Sequence, residues 1–342
     1  MSNTPAPKSQ VTIATRGSTL ALWQADHIAA LLAKRGVKSE KLILKTTADR
    51  VQDRFLHEMG GKGLFIKELE EALLAGQADL AVHSLKDMPV SMAEPFQLAA
   101  ILPRHAATDV IIYRKDVAAR IRPRQSLSAA DLWSLGALTV GTGSLRRQNI
   151  LERIAPALTC VGIRGNVDTR LKRLDAGEWD AIILAEASIE RLGLEELPHS
   201  RLAPEWFIPA PGQGALALET RAGDPLAEWL GAELGCKETR LAISIERDIL
   251  GRLGGDCTLP FGCFVRSDRA SSPQLLAHAA IFSSHTDIAE AQITAPYSGA
   301  GKFDTKAFAD ELLRKLAAGG AAKVLKELGL PVPSELAGLA PW

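Results

Sequence analysis

Short apolar strands alternate with helices along the first two thirds of the chain, and this alternation limits the possible folds more than any other feature. Strands are predicted at 11–15, 41–45 and 80–82, with helices at 20–35 and 64–75 between them. Two strands that are joined by a helix can run parallel, whereas strands that are joined by a tight turn are antiparallel. The pattern therefore predicts βαβ units in an α/β fold, with a parallel sheet and helices packed on its faces.

The same pattern starts again in the middle of the chain. Strands are predicted at 109–113, 138–141, 158–163 and 181–185, and helices at 144–154 and 166–175. A Pro- and Gly-rich segment at 204–214 then leads to a strand at 215–219, which could return to the first sheet. We therefore expect a discontinuous first domain, residues 1–104 and 212–223, and a second α/β domain, residues 105–211.

The last third of the chain has a different order of elements. Helices at 225–234 and 238–252 precede three strands near 261–266, 275–282 and 288–294, and helices at 305–316 and 321–328 follow. Strands grouped between helices are typical of an α+β arrangement. We expect a smaller third domain, residues 224–342.

Composition narrows the class of protein. The chain of 342 residues has 40 basic and 40 acidic side chains, whereas nucleic-acid-binding domains are usually basic. No run of ~18 apolar residues is present, and the polar segment 1–10 lacks the apolar centre of a signal peptide. We expect a cytoplasmic protein with no membrane and no nucleic-acid partner. The cysteines do not have the spacing of a metal site, so no metal is expected; they are Cys160, Cys236, Cys257 and Cys263.

Cationic side chains follow the ends of several predicted strands, where a helix begins. They are Arg16, Lys86, Arg146, Arg147, Arg164 and Arg170. A helix N-terminus offers N–H groups and a positive dipole end, and arginine adds a fork that fits a carboxylate or phosphate. A single arginine at such a place is often only solubilising charge. The repeated arrangement, however, predicts an anionic ligand.

The segment 79–89 adds a carboxylate to these cations. Its strand runs directly into Lys86 and Asp87, and Pro89 ends it. Such strand ends lie at the carboxyl edge of a sheet, where open α/β folds bind ligands. A turn at Met88–Pro89 could bring Lys86 and Asp87 to one cleft, although a solvated ion pair would have the same sequence.

Two glycine-rich segments have different predicted roles. Segment 60–63 lacks the spacing of a nucleotide-binding phosphate loop, and we expect a mobile loop whose Lys62 reaches over the cleft. Segment 252–260 places two glycines before Cys257 in a tight turn between a helix and a strand. A lone cysteine is most often a small buried hydrophobic residue, so Cys257 alone is weak evidence for chemistry.

Together these segments resemble the hydroxymethylbilane synthase (porphobilinogen deaminase) family, from about residue 12 to residue 328. One shared motif is Ala-Val-His-Ser-Leu-Lys-Asp-Met-Pro at 81–89, and the others lie at 13–18, 20–24, 61–70, 141–148, 164–171 and 211–215. The resemblance implies two domains like periplasmic solute-binding proteins, and a third with a dipyrromethane cofactor on a cysteine thioether. It implies a monomeric enzyme that condenses porphobilinogen head to tail into hydroxymethylbilane and releases ammonia at each step.

The resemblance also implies roles for single residues. Asp87 matches the catalytic carboxylate, and Cys257 matches the cysteine to which the cofactor is attached. The matches to cofactor binding are Lys86, Thr142, Ser144, Arg146, Arg147 and Arg170. The matches to substrate binding are Arg16, Ser18, Arg164, Arg191 and Gln213, of which Arg191 is the weakest. Asp49 and Lys62 match loop positions.

The chain departs from the family pattern at some positions. Asp256 stands where glycine is usual, and its negative charge should slow thiolate attack and cofactor loading. Ala48 stands where glycine is typical, so the mobility of that loop should differ. Cys263 is a second thiol nearby, which we expect to be structural because it falls in the next strand.

Two other functions compete with this hypothesis. A bilobal receptor for a small anion would explain the arginines, but it would not explain Cys257 or the third domain. Such a receptor would usually be exported. An effector-binding regulator would need a helix-turn-helix segment, and the ten-residue polar lead has no room for one.

Overall fold

The structure is a computed structural model that describes residues 6–45, 66–255, 259–268, 272–283, 287–299 and 303–337. The chain divides into two compact units. Unit 1 comprises Met1–His105, Glu190–Gly193 and Gly214–Arg240, and unit 2 comprises Ala106–Ile189, Leu194–Gln213 and Leu241–Trp342. The boundaries of the three expected domains stay a prediction. Several positions discussed above lie outside the described residues, namely Ala48, Asp49, Lys62, Asp256 and Cys257.

The predicted strands and helices are present in the predicted order, and the structure adds strands at 96–101, 126–127 and 199–202 and helices at 115–121, 129–133 and 334–337 that were not predicted. The strands are β1 (Gln10–Arg16), β2 (Lys38–Leu44), β3 (Leu80–Ser84), β4 (Phe96–Ile101), β5 (Asp109–Tyr113), β6 (Ser126–Leu127), β7 (Thr139–Gly141), β8 (Thr159–Val161), β9 (Ala181–Ala185), β10 (His199–Leu202), β11 (Leu216–Arg221), β12 (Phe261–Asp268), β13 (Gln274–Phe282) and β14 (Ile288–Pro296). The α-helices are α1 (Thr19–Ala33), α2 (Lys67–Leu74), α3 (Lys115–Ile121), α4 (Ala129–Trp133), α5 (Leu145–Ile154), α6 (Val167–Asp175), α7 (Glu186–Leu192), α8 (Pro225–Glu233), α9 (Lys237–Arg252), α10 (Thr305–Ala318), α11 (Ala321–Glu327) and α12 (Ser334–Ala337).

Unit 1 is built on a five-stranded sheet in the order β2-β1-β3-β11-β4. The first three strands are parallel, and β11 runs antiparallel to β3 and β4. Successive side chains of a strand point to opposite faces. Leu80 of β3 therefore packs with Ile28 of α1 on one face, while Ala81 packs with Leu69 of α2 on the other. The sheet is buried between helices, as the sequence predicts.

Unit 2 contains a six-stranded sheet in the order β6-β10-β5-β9-β7-β8 and a separate three-stranded sheet, β12-β13-β14. Strand β7 is parallel to β8 and β9, whereas β5 runs antiparallel to β9 and β10. The two larger sheets are therefore mixed, which corrects the expectation of purely parallel sheets. The three-stranded sheet is antiparallel and packs its apolar face against α9, α10 and α11.

The predicted fold class, two α/β parts followed by a smaller α+β part, is confirmed. Among the helices of the described residues, none combines the length and the apolar character needed to cross a membrane.

Candidate active site

In unit 1, the ends of β1 and β3 lie side by side at one edge of the sheet, because the two strands are parallel neighbours. Arg16 is the last residue of β1, and Ser18 caps α1 by accepting a hydrogen bond from the backbone of its first turn. Lys86 and Asp87 follow the end of β3. The carboxyl edge of this sheet thus brings together predicted site residues from two separate motifs.

Lys86 and Asp87 lie in a 3₁₀ turn, Leu85–Asp87. The Met88 N–H donates to the Leu85 carbonyl oxygen at 3.1 Å and closes the turn. Leu85 is buried, Lys86 is half-buried and Asp87 is exposed. The chain therefore turns earlier than the predicted Met88–Pro89 position, because Leu85 anchors the turn in the core. The turn allows adjacent side chains to leave the alternation of the strand.

Two hydrogen bonds hold this turn from neighbouring elements. The Leu85 N–H donates to the Ala215 carbonyl oxygen at 3.1 Å, which ties the turn to the start of β11. Gln24 of α1 donates from Nε2 to Ser84 Oγ at 2.8 Å. The backbone that carries Asp87 is thus fixed to both a strand and a helix.

A buried acidic cluster lies under α2, on the opposite face of the same sheet from α1. Glu219 of β11 is fully buried, and its Oε2 lies 2.8 Å from His83 Nε2. Burial raises the pKa of Glu70 on α2, and the nearby negative charge of Glu219 raises it further. The sequence prediction missed this cluster, although a glutamate directly after the apolar run 216–218 of strand β11 was a signal for it.

In unit 2, the ends of β7 and β8 approach closely. The Thr142 N–H donates to a carbonyl oxygen of β8 at 2.9 Å. A Cβ atom on Gly143 would lie 2.7 Å from the Ile163 carbonyl oxygen, which is closer than real contacts allow. Only glycine therefore permits this approach, which brings the Thr142–Ser144 segment beside the segment that leads to Arg164.

The helices that follow these strands begin without side-chain caps. Ser144 precedes α5 and Asn166 precedes α6, and neither side chain accepts a capping hydrogen bond. Arg170 lies in the first turns of α6, where its Nε donates to the Gly165 carbonyl oxygen at 2.8 Å. N–H groups, a hydroxyl and a guanidinium group are the donors that carboxylate ligands prefer.

Arg146 and Arg147 are buried and bind the fully buried Asp109 of β5. Arg146 Nη2 lies 2.7 Å from Oδ2, and Arg147 Nη2 lies 2.6 Å from Oδ1. Gln213 Nε2 also donates to Asp109 Oδ1, at 3.0 Å. Burial lowers the pKa of Arg146, and the charge of Asp109 opposes this effect. The structure thus gives both arginines an internal partner, and their assignment to a ligand stays a prediction.

Arg191 of α7 is buried in unit 1. Its Nη2 donates to the Gly214 carbonyl oxygen at 2.7 Å. Burial lowers the pKa of Arg191 to about 10, and the negative charge of Glu190 opposes this effect. Its predicted contact with substrate is likewise untested by this geometry.

The described residues on both sides of the Cys257 segment explain the two glycines before it. Gly254 has a φ of 66°, the left-handed region that favours glycine. A Cβ atom on Gly255 would lie 2.6 Å from the Leu259 side chain and 2.7 Å from Leu250. These glycines let the chain leave α9 in a tight turn. Cys263 is buried in β12, the strand where we expected it.

The comparisons with known proteins agree with these motifs. The family model described as "Porphobilinogen deaminase, dipyromethane cofactor binding domain" matches residues 11–228. The chain belongs to this family. The porphobilinogen deaminase of Ralstonia nicotianae is 39% identical over 329 residues, which cover 95% of this chain and 93% of the relative. The porphobilinogen deaminase of Xanthomonas axonopodis pv. citri is 46% identical over 257 residues, 74% of this chain and 80% of the relative.

The comparison with solved structures matches the substrate binding domain 2 of GlnP from Lactococcus lactis in its open conformation. It is 15% identical, has a TM-score of 0.42, and the match covers 68% of this chain and 91% of that domain.

The donors in unit 2 fit the cofactor of the porphobilinogen deaminase family. A dipyrromethane built from porphobilinogen carries acetate and propionate groups, so its site needs donors and cations. The uncapped helix ends at Ser144 and Asn166 supply N–H groups, and Arg170 supplies a cation. Within the residues that the structure describes, no group of three or more His, Cys, Asp or Glu side chains could hold a metal ion.

Proposed function

We propose that the chain is a hydroxymethylbilane synthase. It condenses four porphobilinogen molecules head to tail into the linear tetrapyrrole hydroxymethylbilane, with release of ammonia at each step. The observation that carries this proposal is the position of Asp87: an exposed carboxylate on a fixed turn, at the sheet edge where Arg16 and Ser18 also lie. A site for anions alone would gain nothing from this carboxylate.

Asp87 is the catalytic residue in this proposal. Loss of ammonia from porphobilinogen leaves an electron-poor cation, and a carboxylate that is already in place stabilises such a charge without reorganisation. The same carboxylate accepts hydrogen bonds from pyrrole N–H groups. It also assists proton transfer to the leaving amine and from the attacked carbon. The bonds from Leu85 and Ser84 to neighbouring elements support this role because they hold the turn in place.

The cationic residues bind the carboxylates of the substrate and of the growing chain. Each added porphobilinogen brings one acetate and one propionate, so the required positive charge increases with every step. The residues assigned to the substrate are Arg16, Ser18, Arg164, Arg191 and Gln213, and Asp49 and Lys62 act from the loop.

The dipyrromethane cofactor is attached to Cys257 through a thioether, and when bound it supplies the pyrrole carbon to which the first substrate is joined. The residues that hold its carboxylates are Lys86, Thr142, Ser144, Arg146, Arg147 and Arg170. Two guanidinium groups share the single carboxylate of Asp109, so these three side chains keep one net positive charge in a buried place. Because buried charges are weakly screened, that charge attracts an anion strongly.

We also propose that the protein acts as a cytoplasmic monomer, with porphobilinogen as its partner and with neither nucleic acid nor membrane. Equal numbers of basic and acidic residues support the absence of a nucleic-acid partner.

Intact-mass measurement of protein from cells that make porphobilinogen tests the cofactor. Wild type should exceed its sequence mass by two linked pyrrole units, and Cys257→Ser should not. Cys236→Ser, at a half-buried thiol of unit 1, is the matched control and should keep the added mass. Unmodified wild type would contradict the enzyme hypothesis, unless Asp256→Gly restores the adduct and so identifies Asp256 as the obstacle.

Turnover of porphobilinogen tests the carboxylate. Asp87→Asn should keep the adduct but lose on the order of a thousandfold in kcat, the usual effect of removing one preorganised electrostatic group. Asp26→Asn, which removes an exposed carboxylate paired with Lys41, is the control and should keep wild-type kcat. A kcat for Asp87→Asn within about tenfold of wild type would place the catalytic carboxylate elsewhere.

A further inference from the structure

Three aromatic rings of unit 1, those of Trp23, His27 and His105, pack against one another beside Arg191, and we call them the ring platform. The rings of Trp23 and His27 are stacked, with centroids 5.1 Å apart and planes 7° from parallel. The His105 ring meets both of them edge-on, at 6.1 Å. The Arg191 guanidinium lies 5.9 Å from the centroid of the Trp23 ring. A cation over an indole face is attracted by the ring electrons, so the platform favours this position of Arg191.

The ring platform and Arg191 meet at one carbonyl group. The Gly214 oxygen accepts from Arg191 Nη2 at 2.7 Å and from the main-chain N–H of His105 at 3.1 Å. Gly214 has a φ of 87°, so its peptide holds a conformation that favours glycine. The double hydrogen bond therefore fixes a backbone position that most residues do not adopt.

The fixed backbone leads directly to the catalytic turn. Ala215 follows Gly214, and its carbonyl oxygen accepts the Leu85 N–H that opens the turn with Lys86 and Asp87. Fixing the peptide at Gly214 therefore also fixes the Ala215 carbonyl oxygen, which accepts the hydrogen bond from the turn.

We propose that Trp23, His27 and His105 are positioning residues, which hold Arg191 on the Gly214 carbonyl and through Ala215 hold the turn that presents Asp87. This inference rests on the proposed function, because Asp87 is the group that is positioned.

The arrangement requires neutral imidazole rings. Burial lowers the pKa of both His27 and His105, and the positive charge of Arg191 lowers each pKa further. Among the described residues, two other charged groups face the rings: Lys34, which directly follows α1, and Glu190, whose Oε2 lies 3.9 Å from His105 Nδ1. A proton on either ring would place a second cation against Arg191. Acid should therefore loosen the turn while the rest of the fold is intact.

Replacing both His27 and His105 by phenylalanine separates the effect of ring packing from the effect of protonation, because phenylalanine keeps an aromatic ring but takes up no proton. The double variant His27→Phe/His105→Phe should keep the cofactor adduct and shift the acid limb of kcat to lower pH. His105→Lys places a permanent cation there, and it should lower kcat on the order of tenfold at every pH, with little change in KM. His199→Phe, at a half-buried histidine of unit 2, is the control and should leave the acid limb in place.

Hydrogen exchange at the Leu85 amide measures how firmly the turn is held, and it does not require turnover. Protection of this amide should fall on the order of tenfold in His105→Lys, and in wild type at acid pH, but not in the double phenylalanine variant at acid pH. An acid limb that stays in place in the double variant, or unchanged Leu85 protection in His105→Lys, overturns the inference. If wild type showed neither turnover nor adduct but Leu85 had the predicted protection pattern, the proposed function would be contradicted. The positioning role of the ring platform would still be supported.

Discussion

Asp109→Asn is the substitution whose effect the structure predicts most directly. The carboxylate is fully buried and accepts from Arg146 Nη2, from Arg147 Nε and Nη2, and from Gln213 Nε2. Asparagine has almost the same shape, but it has no charge, and its amide NH₂ is a donor. One of the two guanidinium groups must then face a donor, and both lose their buried counter-charge.

The expected size of the effect follows from these contacts. A hydrogen bond to a charged group contributes about 1.5–3 kcal/mol, and Asp109 accepts such bonds from two arginines. Removing one partner of a buried ion pair costs about 3–5 kcal/mol, because the remaining charge stays buried. The amide oxygen of asparagine still accepts from Gln213 or from one arginine. We therefore expect the free energy of unfolding to fall by about 4–5 kcal/mol, a large part of the usual stability of a protein.

Urea unfolding measures this loss, with fluorescence and far-UV circular dichroism as two probes that must coincide. The slope with urea should stay at its wild-type value, so that the midpoint alone reports stability. Asp116→Asn is the control, because Asp116 is an exposed carboxylate that also binds an arginine, Arg114. Its midpoint should equal that of wild type. A loss below about 1.5 kcal/mol in Asp109→Asn would refute the reasoning, since the arginines would not depend on this charge.

Two further substitutions test other parts of the structure. Gly143→Ala places a methyl group 2.7 Å from the Ile163 carbonyl oxygen, so urea unfolding should show a loss of about 1–3 kcal/mol; Gly17→Ala, whose added carbon meets nothing closer than 3.6 Å, should not. Glu219→Gln removes the negative charge beside Glu70, so NMR titration should show the pKa of Glu70 falling towards its ordinary value. Because this pKa is raised in the folded state, wild type loses stability as the pH rises through and above the ordinary glutamate range, and the variant should lose less. An unchanged Glu70 titration would show that the two carboxyl groups do not interact.

The sequence predicted the order of the elements and the position of the strand ends, because both depend on local patterns. The start of α5 follows Ser144 and the start of α6 follows Asn166, which are residues that favour the position before a helix. The strand Asp109–Tyr113 was predicted with its observed bounds from its run of β-branched and aromatic residues. Strand β4 was missed because the four residues between Phe96 and Ile101 are glutamine, leucine and two alanines, which have no strong preference for strands.

Contacts between distant parts of the sequence could not be predicted in the same way. The sequence argument placed Arg146 and Arg147 against a ligand, because helix dipoles and strand ends are local features. Their observed partner, Asp109, lies on strand β5, whereas the two arginines lie on helix α5. An aspartate that opens an apolar strand was the available signal, since a buried charge needs a partner. The rings beside Arg191 have no such signal, because α1 supplies two of them and the segment between β4 and β5 supplies the third, from positions far apart in sequence.

The internal partners of the arginines explain how each of these buried cations can be kept without a bound ligand. Arg146 and Arg147 share one carboxylate, and Arg191 has a carbonyl group and a ring face instead of an ion pair among the described residues. Complete neutralisation of the arginines would leave no positive charge to attract an anion. Buried guanidinium ions without any partner would each destabilise the fold by about several kcal/mol. Partial neutralisation lies between these limits. It keeps a net positive charge that is stable without ligand and that, in the proposed function, attracts the carboxylates of the growing chain. This is why removal of the Asp109 charge should weaken the fold even though it makes the surroundings more positive.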